Sequence, residues 1–222
     1  MHPTLDLKYA PSLFFSWRPD VAFKHACFIS YCRPQHELLK GFVGQLKRAL
    51  DAELESYLDE KVFIDDTDVG PGDKHAEVLA RAICESVCMV VVWSPRYDRH
   101  PYCLREFEAM RLVEERRRLL LGPGRAHGRG FIISVIVRGA DAVPERIKQQ
   151  DTYCDFSTFT LAMPDIIRNP EYVNSVKAIA AKINSLYNLF QSSNLDPCVP
   201  CLDFRLPPPP PSAPYEPSFV NR

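Results

Sequence analysis

No apolar run in this 222-residue sequence approaches the roughly 18 residues needed to cross a bilayer. The first 24 residues hold no basic stretch followed by an apolar one, so neither a membrane span nor a targeting segment is expected, and the expected location is cytoplasmic. Charge of one sign is also missing: 27 Lys and Arg stand against 28 Asp and Glu, for a net charge of -1. That balance argues against a surface built to coat nucleic acid or anionic lipid, while leaving room for a local basic patch. A phosphate loop ending in Gly-Lys-Ser/Thr is absent, and the Gly-rich stretch 122–130 lacks the strand-then-helix context of one, so it reads as a connector. The pair Cys198-Val-Pro-Cys201 has the spacing of a zinc knuckle, but no second CxxC or His pair accompanies it. No metal and no bound cofactor are expected. There is no internal repeat.

What is present is the composition of a folded chain, 46% hydrophobic and 25% charged, with a length suited to one α/β domain plus some spare chain. The eight cysteines, at 27, 32, 84, 88, 103, 154, 198 and 201, fall mostly in apolar runs and read as free thiols in a reducing compartment. Prolines at 3, 11 and 19 interrupt an N-terminal extension over 1–24. From Pro197 the composition turns to proline, with an unbroken run from Pro207 to Pro211. Such a run favours polyproline II, without internal hydrogen bonds, so residues 192–222 read as a tail outside the core: a passive tail, a strap on the domain or a ligand for an SH3-type module.

Between them, residues 25–191 alternate short apolar runs with helix-periodic segments. His25 to Tyr31 reads as a buried strand, followed by Leu39, Phe42, Val43, Leu46, Leu50 and Leu54 at helical spacing. Val62 to Asp65 is a second strand, and Ala76, Leu79 and Ile83 mark a second helix. Cys88 to Ser94 opens on an unbroken apolar run, Cys88 to Trp93, as expected for a central parallel strand covered on both faces. A helix over Tyr102 to Leu121 ends at Gly122-Pro123, and its Arg116, Arg117 and Arg118, with Arg125 and Arg129, read as a solvated basic face. Phe131 to Val137 and Tyr153 to Phe156 complete five strands, and Val176, Ile179, Ala180, Ile183, Leu186, Tyr187 and Phe190 give the closing helix. The alternation implies a flavodoxin-like, doubly wound five-stranded parallel sheet with helices on both faces.

In such a sheet the ligand crevice lies at the carboxyl ends of the strands. Residues just after the strands are polar here: Ser30, Tyr31 and Arg33; Asp65, Asp66 and Asp68; Ser94, Arg96, Tyr97 and Asp98. Glu106 stands out. A helix starting near Pro101 puts it within two turns of a helix N-terminus, leaning back over the crevice, where the dipole favours its ionised form by ~0.3–1 kcal/mol. Such a carboxylate can orient a ribose hydroxyl or stabilise an oxocarbenium-like centre. On spacing alone the plainer reading is a solvated first-turn glutamate. Cys103 adjoins it without an obvious His base, so a thiol nucleophile is not expected.

The order Phe28-Ile29-Ser30-Tyr31, Phe63-Ile64-Asp65, Gly70-Pro71-Gly72, Ser94 and Tyr97, then Tyr102-Cys103-Leu104-Arg105-Glu106, resembles the Toll/interleukin-1 receptor (TIR) domain over about residues 25–190. The resemblance implies one of two activities: assembly as a non-enzymatic scaffold or adaptor, or cleavage of the nicotinamide–ribose bond of NAD. In enzymatic members the essential glutamate is the fourth residue after an aromatic at the head of the helix following the third strand, and Glu106 matches it, with Tyr102 as the aromatic. Plant and many bacterial members have Trp-Cys where this sequence has Tyr102-Cys103, a departure that keeps a ring able to stack. By the same resemblance Tyr31 and Arg33 lie near the nucleotide. Residues 66–74, with Asp66, Gly72 and Lys74, form a loop that covers the site and meets the next protomer. Arg33 offers a fork for a pyrophosphate, with a surface salt bridge as the alternative, and Gly70 and Gly72 permit close backbone approach unless they only make a turn. NAD as substrate, TIR–TIR self-association and a downstream effector sensing the product, as in bacterial anti-phage defence, are what the resemblance implies for partners. A deoxyribosyltransferase-like enzyme, which also sets a Glu against a ribose, is the remaining alternative.

Overall fold

The computed structural model describes residues 23–33, 37–65, 73–150, 152–159, 165–193 and 195–208. Five parallel strands, β1 (His25–Tyr31), β2 (Lys61–Ile64), β3 (Met89–Trp93), β4 (Ile132–Ile136) and β5 (Thr152–Asp155), form one sheet in the order β2-β1-β3-β4-β5. This is the expected flavodoxin-like order. Every residue of β3 and β4 is buried, because helices cover both faces: α1 (Glu37–Leu54) packs with α5 (Pro170–Ser193), and α2 (Asp73–Cys84) packs with α3 (Pro101–Ala126). A short α4 (Glu145–Lys148) precedes β5. The chain leaves β1 toward β2 on one side and returns to β3 on the other, so the topological switch point lies between the carboxyl ends of β1 and β3.

The expected end of α3 at Gly122 holds as a break: Gly122 sits at φ 75°, a left-handed conformation suited to glycine, and one further helical turn follows. Four expectations are corrected. Arg117 is not on a solvated face but fully buried, donating to the carbonyls of Val87, Cys84 and Ser86 at 2.8–2.9 Å with the rings of Phe23, Phe131 and Phe190 around its guanidinium. The cysteines are not all free, since Cys84 and Cys201 form a disulfide. Residues 197–206 are not outside the packed domain: Cys198, Cys201 and Phe204 are buried, and the Arg116 guanidinium lies 5.1 Å from the Phe204 ring. They strap the α2–α3 side, where Pro207 O accepts from Arg105 Nε at 2.8 Å. The rest of the proline run lies outside the described residues, as do residues 1–22 of the N-terminal extension. Phe23, placed in that extension from sequence, is buried against Phe190 and Tyr187.

Candidate active site

At the switch point, β1 ends in Ser30 and Tyr31, a 3-10 turn over Tyr97–Arg99 follows β3, and Pro101 opens α3 at its first position. These three segments converge on one carboxyl group. Ser30 Oγ donates to Glu106 Oε2 at 2.6 Å and lies 2.7 Å from the Tyr97 hydroxyl, which in turn reaches the Cys103 carbonyl oxygen at 3.1 Å. Ser30, Tyr97 and Glu106 are all buried, Glu106 with only 8% of its surface exposed. The expectation that the helix end would keep this carboxyl readily ionised is corrected: burial dominates and raises its pKa to about 7. The Ser30 hydrogen bond opposes the rise, the Asp65 charge adds to it and the Arg33 charge opposes it.

Arg33 and Asp65 form the rim. Arg33 Nη2 donates to the Asp65 carbonyl at 2.7 Å and pairs with its carboxylate at 2.6 Å, and His75 Nε2 from the first turn of α2 stands 3.2 Å from the same carboxylate. Tyr31 and Tyr102 are partly buried, the Tyr102 ring 6.2 Å from the His100 ring. Lys74 is exposed beside Glu77, Arg81 and Arg205, along the groove between α2 and the strap, and takes no part in the hydrogen bonds around Glu106. Asp66, Gly70 and Gly72 lie outside the described residues.

The structure thus brings Tyr31, Arg33, Tyr102 and Glu106 to one edge of the sheet. It confirms Asp65 at the crevice, as the partner of Arg33, and adds His75, unmarked by any feature of the sequence. Contrary to expectation, Cys103 does have a histidine beside it: His100 Nδ1 lies 3.6 Å from its Sγ. The Cys103 thiol nonetheless has its pKa raised, by its hydrogen bond with Cys32 and by burial, whereas Cys32 is lowered to about 7 by that same bond. Both effects disfavour the thiolate that a nucleophilic Cys103 would need.

A buried carboxylate in a low-dielectric site stabilises a developing positive charge far more than one in water does. The guanidinium at the rim suits a phosphate or carboxylate oxygen pair. No group of His, Cys, Asp and Glu residues able to hold a metal ion occurs among the described residues. No curated protein matches the chain. The sequence model of the TIR domain matches residues 27–165, more than half the chain and including all three segments that converge on Glu106, and the chain belongs to the TIR domain family.

Proposed function

We propose that this TIR domain cleaves the nicotinamide–ribose bond of NAD, and the observation that carries the reading is the buried Glu106 carboxyl, held by Ser30 at the carboxyl edge of β1 and β3. In this reaction the glycosidic bond breaks with its electron pair going to the pyridinium nitrogen, so nicotinamide leaves neutral and the ribosyl carbon becomes oxocarbenium-like. The ionised Glu106 stabilises that cation. Water then gives ADP-ribose, and an oxygen or nitrogen nucleophile elsewhere on the same molecule gives a cyclic isomer. Arg33 serves the pyrophosphate and Tyr102 offers a ring face, while residues 66–74, with Asp66, Gly72 and Lys74, cover the site and meet a neighbouring protomer. The product signals to an effector, as in anti-phage immunity, or NAD loss itself acts.

The test is incubation of the purified protein with NAD and chromatography of the products. Wild type is expected to release nicotinamide, more so as pH rises through about 7 and Glu106 ionises. Glu106→Gln, which removes the charge and keeps the volume, is expected to fold and to lose on the order of 10²-fold or more in turnover. Wild-type activity in a folded Glu106→Gln protein overturns the catalytic assignment. No nicotinamide at any concentration favours a scaffold acting through TIR–TIR assembly, and release of free base from nucleosides instead of NAD favours a deoxyribosyltransferase-like activity.

A further inference from the structure

We infer that Tyr97 is a positioning residue that acts on Glu106 through Ser30, in a chain of hydroxyl groups whose direction of donation reverses when the carboxyl gains a proton. Four oxygens stand in line, Glu106 Oε2, Ser30 Oγ, Tyr97 OH and Cys103 O, separated by gaps of 2.6, 2.7 and 3.1 Å. Each gap needs one proton to be a hydrogen bond, and the carbonyl at the far end only accepts.

With Glu106 ionised, the two hydroxyls supply two protons for three gaps. Ser30 donates to the carboxylate, and Tyr97 donates either to Ser30 or to the Cys103 carbonyl, leaving one gap unfilled. With Glu106 protonated there are three protons for three gaps: the carboxyl donates to Ser30, Ser30 to Tyr97, and Tyr97 to Cys103. The buried chain is complete only in the protonated state, and a buried gap without its proton is costly. Tyr97 itself stays protonated throughout, because burial holds its phenol well above the ordinary value.

The other groups facing Glu106 enter by charge alone. From the end of β1 this is Arg33, from the end of β2 Asp65 with its partner His75 on α2, and from α3 the Cys103 thiol. Arg33 and His75 pair with Asp65, and the Cys103 thiol with Cys32 and His100. The function of the hydroxyl chain, resting on the NAD reading, is to hold the carboxylate in one rotamer and to set the pH at which the ionised, charge-stabilising form appears.

The test is a double-mutant cycle, because removal of the Tyr97 oxygen acts unequally on the two states. In Tyr97→Phe the ionised form loses one hydrogen bond and the protonated form loses two, the Ser30 proton being left without an acceptor. The midpoint of Glu106 is expected to fall by about half a pH unit, the scale of one net hydrogen bond. In Ser30→Ala the chain is already cut, and adding Tyr97→Phe there is expected to move the midpoint no further.

Two readouts separate this inference from the NAD reading. One is the carbon-13 shift of the Glu106 carboxyl in the unliganded protein, assigned with Glu106→Gln and followed from pH 4 to 9. The other is the pH profile of kcat/KM for nicotinamide release, which reports the free enzyme. Both substitutions remove a single oxygen and add no atom to the core. A midpoint that is unmoved or raised by Tyr97→Phe, or that falls equally in both backgrounds, overturns the chain even if NAD is cleaved. The expected titration in a protein that never releases nicotinamide supports the chain and overturns the NAD reading.

Discussion

At the scale of single residues, Glu106 illustrates a competition that burial wins over the helix dipole. Its position near the head of α3 is worth at most ~1 kcal/mol to the carboxylate, and removal from water costs more. The consequence reaches stability as well as catalysis. Because its pKa rises from 4.5 to about 7, the folded protein holds a proton there that the unfolded chain releases between those values. Stability therefore falls as pH rises from about 4.5 to about 7 and is level beyond, by about 3 kcal/mol if this group acted alone. Glu106→Gln, which cannot ionise, is expected to unfold at higher denaturant than wild type at pH 8 and to lose that advantage at pH 5. Equal gains at both pH values would contradict the burial argument. Arg117 is the opposite case, a buried cation kept by three carbonyls and three aromatic rings, with its pKa lowered by burial to about 10. Its inward position was readable: Met110, Val113, Arg117 and Leu121 follow helical spacing on the buried stripe of α3. Three consecutive arginines cannot all face water on a helix packed along one side.

Among the elements, the strands were legible because runs such as β3 and β4, buried on both faces, have no polar position to disguise them. Boundaries shifted by a residue at β2 to β5, and α4, four residues long, carries too little periodicity to be seen. The strap stayed one of three open readings of the C-terminal segment for a different reason. Its anchors are single residues, Cys198, Cys201 and Phe204, set in a proline-rich composition, and each is explained only by a partner far away in sequence. The Cys84–Cys201 disulfide closes a separation of 117 residues, so its removal frees a long loop in the unfolded chain. Cys201→Ser, or reduction of wild type, is expected to lower unfolding stability by about 2–4 kcal/mol in urea titration. Reductant is expected to leave Cys201→Ser itself unchanged. A wild-type transition indifferent to reductant would remove the disulfide from this account.

At the scale of the whole molecule, the self-association proposed for this TIR domain would set residues 66–74 of one protomer over the site of another. A head-to-tail contact joins two different surfaces and extends without closing, so activity is expected to rise faster than linearly with protein concentration. Mixing tests it more sharply. Gly72→Trp, in the loop, and Glu106→Gln, in the site, are each expected to be nearly inactive, yet a mixture pairs an intact loop from one chain with an intact carboxyl on the other. Partial recovery of nicotinamide release supports a shared site, and a mixture no better than its components assigns the site to a single chain. Sequence alone was sufficient for the order of the strands and the long helices and for the sheet type, since hydrophobic periodicity is written along the chain, while Glu106 was singled out by spaced motifs that resemble a family. Tertiary structure alone decided that Glu106 is buried, that Ser30 and Tyr97 hold it, that Asp65 and His75 back Arg33 and that Cys84 meets Cys201. Each of these depends on desolvation or on contact between residues distant in the chain, quantities that local pattern does not carry.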